Sequence, residues 1–404
     1  MRHPEQDLAF AGLEALVRRM ARDPPVASGQ ETGGVALNGL KLACDLVERC
    51  VAHQRPVAEL IRGLSLASEH LAKQHSRITE ELRQGGGAGA PEVRNLLNAA
   101  WQRGQELGRA ELWADCAGVF EASQQLLEQL DSVDTREVLE SRAWCLMMVA
   151  SARLQLAKDL AGERRDSARG ELCERALHCL DRAHQLCKRS ALPPRPAKGT
   201  EATAAAESPG PSRAFQVLVL LEFEVRCVAG DSEFQLRKFV DAASSQEAVG
   251  IKSLLAMSKI AASASSRRLA IHCLQRYLCI FVGARGVGDY SQCAAAYREM
   301  IALHASRNES FAVYEGILHL LSGGGGAVAA ARLESDSSSY FKDEIAWLVA
   351  TAWNNGTHFF RLQQYRWGEK WMGKSLAFAK FCPGHFPETE MATSYTECVK
   401  HCGV

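Results

Sequence analysis

A chain of 404 residues is longer than one hydrophobic core can fill, so the sequence predicts several domains or an elongated array whose core lies between successive units. Its 47 basic and 47 acidic residues cancel, which disfavours strong nonspecific binding to nucleic acid. Ala, Leu, Glu, Gln and Arg are abundant, and these side chains lose little rotamer freedom in a helix, so the composition favours helix throughout.

The first residues do not resemble an export signal. Residues 1–23 have charges between their apolar positions and no small-residue cleavage site, so they predict no signal peptide. No apolar run approaches the length of a membrane-spanning helix. The 14 cysteines are scattered along a large chain, so we expect buried free thiols in a reducing compartment rather than a disulfide framework.

Apolar residues recur at spacings of three and four along almost the whole chain, as at Leu254, Met257 and Ile260, and no segment is convincing as a strand. This pattern predicts short helices that come in pairs. Turn-forming residues interrupt the pattern at residues 84–91, at 230–231, just before 250, and at 263–266, 286–289, 306–310 and 323–326.

The composition divides the chain into four segments. Residues 1–83 form an amino-terminal helical segment, and residues 91–189 form helix pairs. Residues 190–213 are rich in Pro, Ala and Ser and lack apolar periodicity, so they predict a disordered linker or loop. Residues 214–404 form further helix pairs with a carboxy-terminal helix.

Two segments 252 residues apart match each other: residues 99–123, AAWQRGQELGRAELWADCAGVFEAS, and residues 351–375, TAWNNGTHFFRLQQYRWGEKWMGKS. A small residue on the first helix lets the second helix approach, a large aromatic residue opens the second helix, and another small residue lies where the pair packs closest. This is the tetratricopeptide pattern. The matched positions are Trp101 with Trp353, Gly104 with Gly356, Leu107 with Phe359, Trp113 with Tyr365, Cys116 with Gly368, Phe120 with Met372 and Ser123 with Ser375.

The predicted fold is therefore all-α, an α-solenoid of tetratricopeptide-like antiparallel helix pairs. One pair cannot bury its own apolar face, so stacking is what stabilises it, and the stack leaves an extended surface for a partner. The residues expected to form the packing of the repeat are Trp101, Gly104, Trp113, Trp353, Asn354, Gly356, Tyr365, Gly368 and Trp371.

Residues 344–383 carry a more specific resemblance, through Glu344-Ile345-Ala346-Trp347, Ala352-Trp353-Asn354, Tyr365, Glu369-Lys370-Trp371 and Phe381-Cys382-Pro383. This segment resembles the Spo/Zip-type family of meiotic tetratricopeptide proteins, which includes the testis-expressed meiotic member of animals. The resemblance implies a nuclear protein on meiotic chromosomes that promotes crossover formation and synapsis. It would act as a scaffold for recombination and synaptonemal complex factors. Independently of this resemblance, the repeat pattern predicts a protein that is not an enzyme, and we expect no cofactor, membrane or small-molecule substrate.

The sharpest competing interpretation is a phosphate loop, because residues 368–375 fit the pattern G-x-x-x-x-G-K-[ST]. Such a loop follows a buried strand and presents backbone N–H groups from a flexible turn. Here the preceding residues do not form a strand, and Trp371 and Met372 suit a helix face. We therefore interpret Gly368 as a small packing residue of the repeat and leave nucleotide binding as a remote alternative.

Metal sites are a second alternative. Cys382 with His385 and Cys398 with His401 form two C-x-x-H pairs of the kind that bind zinc, but a helix between them separates the pairs. A further cluster lies on one predicted helix, where only the last two residues share a face: Cys173, His178, Cys179, His184 and Cys187. We expect core or surface roles for these residues and no metal.

Other motifs predict ordinary structure. No nucleophile elbow or cysteine-protease sequence occurs. The glycines Gly283, Gly286 and Gly288 lack dinucleotide-binding spacing and predict a turn between helices. The basic doublets are separate and predict solvated helix faces rather than a DNA-binding stripe. They are Arg18-Arg19, Arg164-Arg165 and Arg267-Arg268.

A generic repeat adaptor or co-chaperone is the main alternative to the meiotic function. Such an adaptor is expected to carry a carboxylate clamp of Lys, Arg and Asn on successive first helices, and the sequence does not assemble one. For either function the partner would be a protein, and no direct binding of nucleic acid is expected. The aromatic residues that could contact a partner are Tyr340, Phe341, Trp367 and Tyr395.

Overall fold

The computed structural model describes residues 32–52, 56–73, 89–129, 136–160, 166–191, 213–246, 249–285, 290–323 and 339–402. These ranges contain 15 helices and no strand. None of the helices in these ranges could cross a membrane. The predicted segment 1–31, most of the predicted linker 190–213 and the glycines of the turn at 323–326 beyond Gly323 lie outside the described residues.

The helices form two compact units, Met1–Ser232 and Glu233–Val404. The amino-terminal unit contains α1 Thr32–Ala52, α2 Val57–Lys73, α3 Gly89–Arg109, α4 Trp113–Glu128, α5 Arg136–Asp159, α6 Asp166–Ala191 and α7 Arg213–Ala229. The carboxy-terminal unit contains α8 Glu233–Ser244, α9 Ile251–Ser263, α10 Arg267–Arg285, α11 Tyr290–Leu303, α12 Arg307–Gly323, α13 Ser339–Arg361, α14 Tyr365–Ala379 and α15 Glu388–Cys402.

Within each unit, helices pack in antiparallel pairs and the pairs stack. The pairs include α1–α2, α3–α4 and α5–α6 in the first unit and α9–α10, α11–α12 and α13–α14 in the second. First helices contact first helices, as α1 contacts α3 and α11 contacts α13. Second helices contact second helices, as α2 contacts α4 and α12 contacts α14. This alternation is the packing of an all-α helical-repeat solenoid, as the sequence predicts.

Three helix pairs are joined by the same turn, built on Glu111, Ser265 and Gln363. These residues have φ values of 59°, 60° and 60°, in the left-handed region. The next residue then donates its N–H back to a carbonyl five positions earlier, which is the Schellman closure of a helix. The three bonds are Leu112 N to Leu107 O at 3.0 Å, Ser266 N to Ala261 O at 2.9 Å and Gln364 N to Phe359 O at 2.9 Å.

The spacing after this turn is also the same in all three copies. The second helix begins two residues after the left-handed residue, at Trp113, Arg267 and Tyr365. The following first helix begins 25 residues after it in each case, at Arg136, Tyr290 and Glu388. The repeating module is therefore three helices long, and its copies are α3–α4–α5, α9–α10–α11 and α13–α14–α15.

Replacing Gln363 by glycine is expected to raise the free energy of unfolding by about 0.5–1 kcal/mol. A side chain at positive φ costs about 1–2 kcal/mol, and glycine removes this cost. Part of the stabilisation is lost again, because glycine has more conformational freedom in the unfolded chain. Urea titration followed by circular dichroism measures the change. Gln363→Ala keeps the Cβ and should bring no gain, so equal stabilisation by both substitutions would contradict this explanation.

An ion-pair cluster joins α6 to α7. The Glu222 carboxylate accepts from His184 Nε2 at 2.8 Å and from Arg226 Nη2 at 2.8 Å, and Arg226 also pairs with Asp231. Burial alone raises the pKa of the Glu222 carboxyl, but the hydrogen bonds from His184 and Arg226 outweigh it, so its pKa lies below the ordinary value of 4.5.

Replacing Glu222 by glutamine is expected to lower the free energy of unfolding at neutral pH by about 1–3 kcal/mol, because charged hydrogen bonds are lost at a largely buried site. A carboxyl with a lowered folded pKa stabilises above its unfolded pKa, and this contribution disappears as the pH falls through the folded value. The gap between the two proteins should therefore narrow below pH 4.5. Glu171→Gln, in an exposed pair with Arg175, is the control and should change stability little.

Two local predictions need correction. The break predicted at residues 306–310 is shorter than expected, because α12 begins at Arg307. The buried Ser310 does not interrupt this helix; its hydroxyl donates to the Arg307 carbonyl at 2.9 Å. Gly283 does not lie in a turn, since α10 continues to Arg285, and a helix tolerates one glycine at modest cost. Gly286 and Gly288 lie outside the described residues.

Candidate functional site

The closest approach within the matched helix pairs is at two glycines. A Cβ on Gly104 would lie 2.5 Å from the Phe120 ring, and a Cβ on Gly356 would lie 2.6 Å from Met372 Cγ and 2.9 Å from the Met372 backbone nitrogen. Gly104 and Gly356 hold equivalent positions in the sequence match, and so do Phe120 and Met372. The structure thus brings the same two positions into contact in both copies.

The second small residue of each pair lies beside the first. Cys116 Sγ contacts the Gly104 carbonyl at 3.4 Å, and a Cβ on Gly368 would lie 3.3 Å from the Gly356 carbonyl and 3.2 Å from Cys398 Sγ. Cys398 belongs to α15, so Gly368 is close to two helices at once. A larger side chain at position 368 would press against both neighbours.

The aromatic residues predicted for the packing have different environments. Trp101 packs edge-on against Phe120 with ring centroids 5.2 Å apart. Trp113 and Tyr365 open the second helices of their pairs, and both are half-buried. Trp353 is half-buried on α13.

Asn354 does not join this packing. Its side chain is exposed, and the neighbouring Asn355 is the residue that accepts a hydrogen bond from Arg307, at 2.8 Å.

Trp371 is the centre of an aromatic cluster between α12 and α14. Its side chain has no exposed surface, and its ring lies edge-on to Phe311 at 5.0 Å and to Tyr314 at 4.8 Å. Tyr314 also contacts Phe378. Within the described residues the indole Nε1 of Trp371 is buried without a hydrogen-bond partner. This cluster joins the second helices of two successive pairs.

Beside this cluster lies a half-buried surface that carries aromatic rings and cations. Trp367 packs between Phe311 at 5.8 Å and Phe359 at 6.1 Å. Lys370 Nζ lies 4.8 Å above the Trp367 ring, and Lys374 Nζ lies 5.2 Å above the Phe311 ring. Tryptophan is enriched at protein interfaces and at their hot spots, so Trp367 is the residue of this surface that suits contact with a protein.

The remaining candidate contact residues differ in what the structure describes. The side chains of Tyr340 and Phe341 lie outside the described part of the chain, although their backbone lies in α13. Tyr395 is half-buried against Gly373, where a Cβ would lie 3.5 Å from its ring. Of the four aromatics, Trp367 is the one that the structure places in the aromatic and cationic surface.

Sequence reasoning missed four exposed hydrophobic side chains: Leu112, Phe234, Leu362 and Val399. Phe234 is the most exposed, at 66%, and Lys238 Nζ lies 4.5 Å above its ring. The sequence gives no signal for their exposure, because each residue fits the apolar spacing expected of a helix or turn. For Phe234, the spacing within α8 does not show whether an apolar side chain packs against a neighbouring helix or faces solvent.

The phosphate-loop pattern is part of a helix. α14 spans all of residues 368–375, so its interior amides donate to carbonyls one turn back and are not free to surround a phosphate. The two residues that would bind nucleotide are also engaged, because Lys374 Nζ lies 3.3 Å from Glu315 and the buried Ser375 hydroxyl donates to the Val349 carbonyl at 2.8 Å. The pattern here serves the packing of α14 on α12 and α13.

The two C-x-x-H pairs lie in different surroundings. His385 is exposed and lies against Phe386, whereas His401 stacks on Tyr365 with ring centroids 4.9 Å apart. Burial raises the pKa of the Cys398 thiol to about 11, so this sulfur holds its proton. In the described ranges no three His, Cys, Asp or Glu side chains gather in a way that could hold a metal ion.

The Cys and His residues of α6 also serve packing. Cys173, Cys179 and Cys187 are buried, His178 is exposed and His184 binds Glu222. Of the 14 cysteines, 11 are buried. The basic doublet Arg267-Arg268 is exposed at the start of α10, and the doublets Arg18-Arg19 and Arg164-Arg165 lie outside the described residues.

Comparison with known proteins adds little to this geometry. No family model matches the chain, and no curated protein matches it. Among solved structures it is similar to a "Circular tandem repeat protein with novel repeat topology and enhanced subunit contact surfaces". The identity is 14%, the match covers 98% of this chain and 95% of that one, and the TM-score is 0.25.

Proposed function

We propose that this protein is a protein–protein interaction scaffold that acts in meiotic recombination, on chromosomes in the nucleus. Its partners would be recombination and synaptonemal complex factors, and its effect would be to promote crossover formation and synapsis. The stacked helix pairs support the scaffold role, because such stacks present long rigid surfaces to other proteins. The resemblance of residues 344–383 to the Spo/Zip-type family supports the meiotic role.

The observation that carries the scaffold role is the aromatic and cationic surface at Trp367. A tryptophan that is half-buried between Phe311 and Phe359 is already ordered, so a partner that covers it gains contact area without ordering a flexible side chain. Its ring edge and the ammonium of Lys370 offer an apolar and a charged contact side by side.

The meiotic role is tested by where the protein acts. We expect its transcripts to be enriched in cells that undergo meiosis, and an antibody against it to label the axes of spread meiotic chromosomes. Loss of the protein should leave chromosomes partly unsynapsed and lower the number of crossovers. Even transcript levels in all somatic tissues, with normal crossover numbers in the mutant, would refute the meiotic role.

The scaffold role is tested by affinity purification of the full chain from meiotic cells. Recombination or synaptonemal complex factors should co-purify with the native protein, and their recovery should drop several-fold with Trp367→Ala. Phe234→Ala is the matched control, because it removes a more exposed aromatic ring that is distant in sequence from Trp367. Recovery of chaperones in place of meiotic factors would instead favour the generic adaptor.

A further inference from the structure

We propose that the solvent-facing side of α14 binds an acidic helical segment of a partner protein. The proposal rests on the scaffold function and names the chemistry of the ligand. The surface consists of the exposed Arg366 and Lys370, with Trp367 along one edge. Lys374, whose side chain is only 18% exposed, borders it above the half-buried Phe311 of α12.

The cations of α14 are arranged in a stripe. Arg366, Lys370 and Lys374 follow each other at four-residue spacing, which places them on one side of the helix, one turn apart. Like charges at this spacing repel and weaken an isolated helix. The one acidic residue of α14, Glu369, follows Arg366 by three residues and hydrogen-bonds with Cys402 of α15, which Arg366 also approaches. Carboxylates from outside α14 would therefore stabilise the stripe by offsetting the repulsion between its cations.

Neighbouring helices supply only one of these carboxylates. Glu315 of α12 lies 3.3 Å from Lys374 Nζ. Among the described residues no carboxylate pairs with Lys370 or Arg366, and both side chains are exposed. Two adjacent positions of the stripe are thus open to a partner, one of them held above the Trp367 ring.

The module on α10 contains the same stripe, and there the carboxylate from the neighbouring helix pairs with two of its members. The positions equivalent to Arg366, Lys370 and Lys374 are Arg268, His272 and Arg276. Asp241, on the adjacent helix α8, lies 3.1 Å from His272 Nε2 and 3.1 Å from Arg276 Nε. An acidic side chain on a helix beside the stripe is therefore an arrangement that this chain already uses.

The module on α4 uses the same side of the helix for close helix packing. There the position equivalent to Lys370 is Gly118, and a Cβ on Gly118 would lie 2.8 Å from Ile61 of α2. In all three copies a helix of the same unit therefore lies beside this side: α8, α2 and, beside α14, α12. On α14 that helix leaves Arg366 and Lys370 exposed, so these two positions are where acidic residues of a partner helix can bind.

Nucleic acid is the less favoured ligand for the same cations. Phosphate backbones bind where many cations act together, but the whole chain has a net charge of zero and Glu315 lies within the surface. Carboxylates one helical turn apart match the spacing of Arg366 and Lys370, and an apolar residue beside them would meet the Trp367 ring.

The test uses the purified full chain and a fluorescent helical peptide of about 15 residues, long enough to hold some helix, with glutamates at four-residue spacing and leucines beside them. Fluorescence anisotropy should show binding that weakens as salt is added. The variant Arg366→Glu, Lys370→Glu should bind this peptide at least about tenfold more weakly. It should also gain binding to a peptide with lysines in place of the glutamates, since the charges are exchanged on both sides.

The control variant Lys252→Glu, Lys259→Glu changes the net charge equally, at two exposed lysines of α9, and should bind the acidic peptide like the native chain. Absence of binding to the acidic peptide, equal loss in both double variants, or failure of the lysine peptide to bind the first variant would overturn the proposal. Equal competition by a single-stranded oligonucleotide of the same charge would overturn it in favour of a phosphate-binding surface. If meiotic factors still co-purify while the peptide fails, the scaffold function stands and only this surface is refuted.

Discussion

Replacing Trp371 by alanine is expected to lower the free energy of unfolding of the carboxy-terminal unit by about 3–5 kcal/mol. The side chain is wholly buried and contacts Phe311 and Tyr314, so the substitution removes a large apolar group and leaves a cavity between α12 and α14. Because this contact joins two successive helix pairs, hydrogen exchange should speed up in α12, α13 and α14 together. Urea unfolding gives the size of the loss.

Trp371→Phe separates the volume of this residue from its polarity. The indole Nε1 is buried without a partner in the described part of the chain, and an unsatisfied buried donor costs about 1–3 kcal/mol. Phenylalanine removes that cost while keeping most of the ring contacts, so its effect should be much smaller than that of alanine. If both substitutions are equally damaging, the cavity is not what destabilises the unit.

Replacing Gly356 by alanine is expected to cost about 1–3 kcal/mol, in a helix where alanine is otherwise preferred to glycine. The added methyl group would lie 2.6 Å from Met372 Cγ and 2.9 Å from the Met372 backbone nitrogen. The side chain of Met372 can move, but the backbone of α14 cannot move without opening the helix pair. Thermal unfolding of the variant should therefore occur at a lower temperature than that of the native chain.

Gly316→Ala is the matched control, because Gly316 is an exposed helical residue of α12 with nothing within 4 Å of its added Cβ. There alanine should stabilise by about 0.5–1 kcal/mol through its higher helix propensity. If alanine destabilises the protein at position 356 and stabilises it at position 316, close approach of α14 is the reason that position 356 requires glycine. Equal stabilisation at both would contradict it.

The helix pairs could be predicted from sequence where their packing depends on glycine, the smallest residue, and on tryptophan, the largest. Gly104 and Gly356 allow a close approach that few other residues permit, and tryptophans mark the same frame on both sides, so two copies of the module could be aligned from sequence. The third copy, α9–α10–α11, was not recognised from sequence, because it has Ser258 and Ala270 at the two small positions and no tryptophan. Both residues are fully buried and fill the same places, but serine and alanine are common enough in helices to give no signal.

The turn and the candidate surface could not be predicted in the same way. Glycine would have marked the left-handed position of the turn, whereas Glu111, Ser265 and Gln363 are ordinary residues for a polar loop. For the surface, the sequence singled out Trp367 as an aromatic residue that could contact a partner. The cation above Phe311 is Lys374, which belongs to the phosphate-loop pattern, and α12 lies some fifty residues earlier in the chain. Such a pairing depends on how second helices stack, which spacing within one helix does not encode.

The constant spacing of the three modules gives the chain a practical property. Because the second helix and the next first helix begin at the same intervals after the left-handed residue, α3–α4–α5 and α13–α14–α15 have equal numbers of residues between the turn and the start of their third helix. A module could therefore be exchanged as a cassette at the turn residues without adding or removing backbone. The modules differ on the sides of their second helices, where Gly118, His272 and Lys370 hold equivalent positions, so the same turn spacing carries different surfaces.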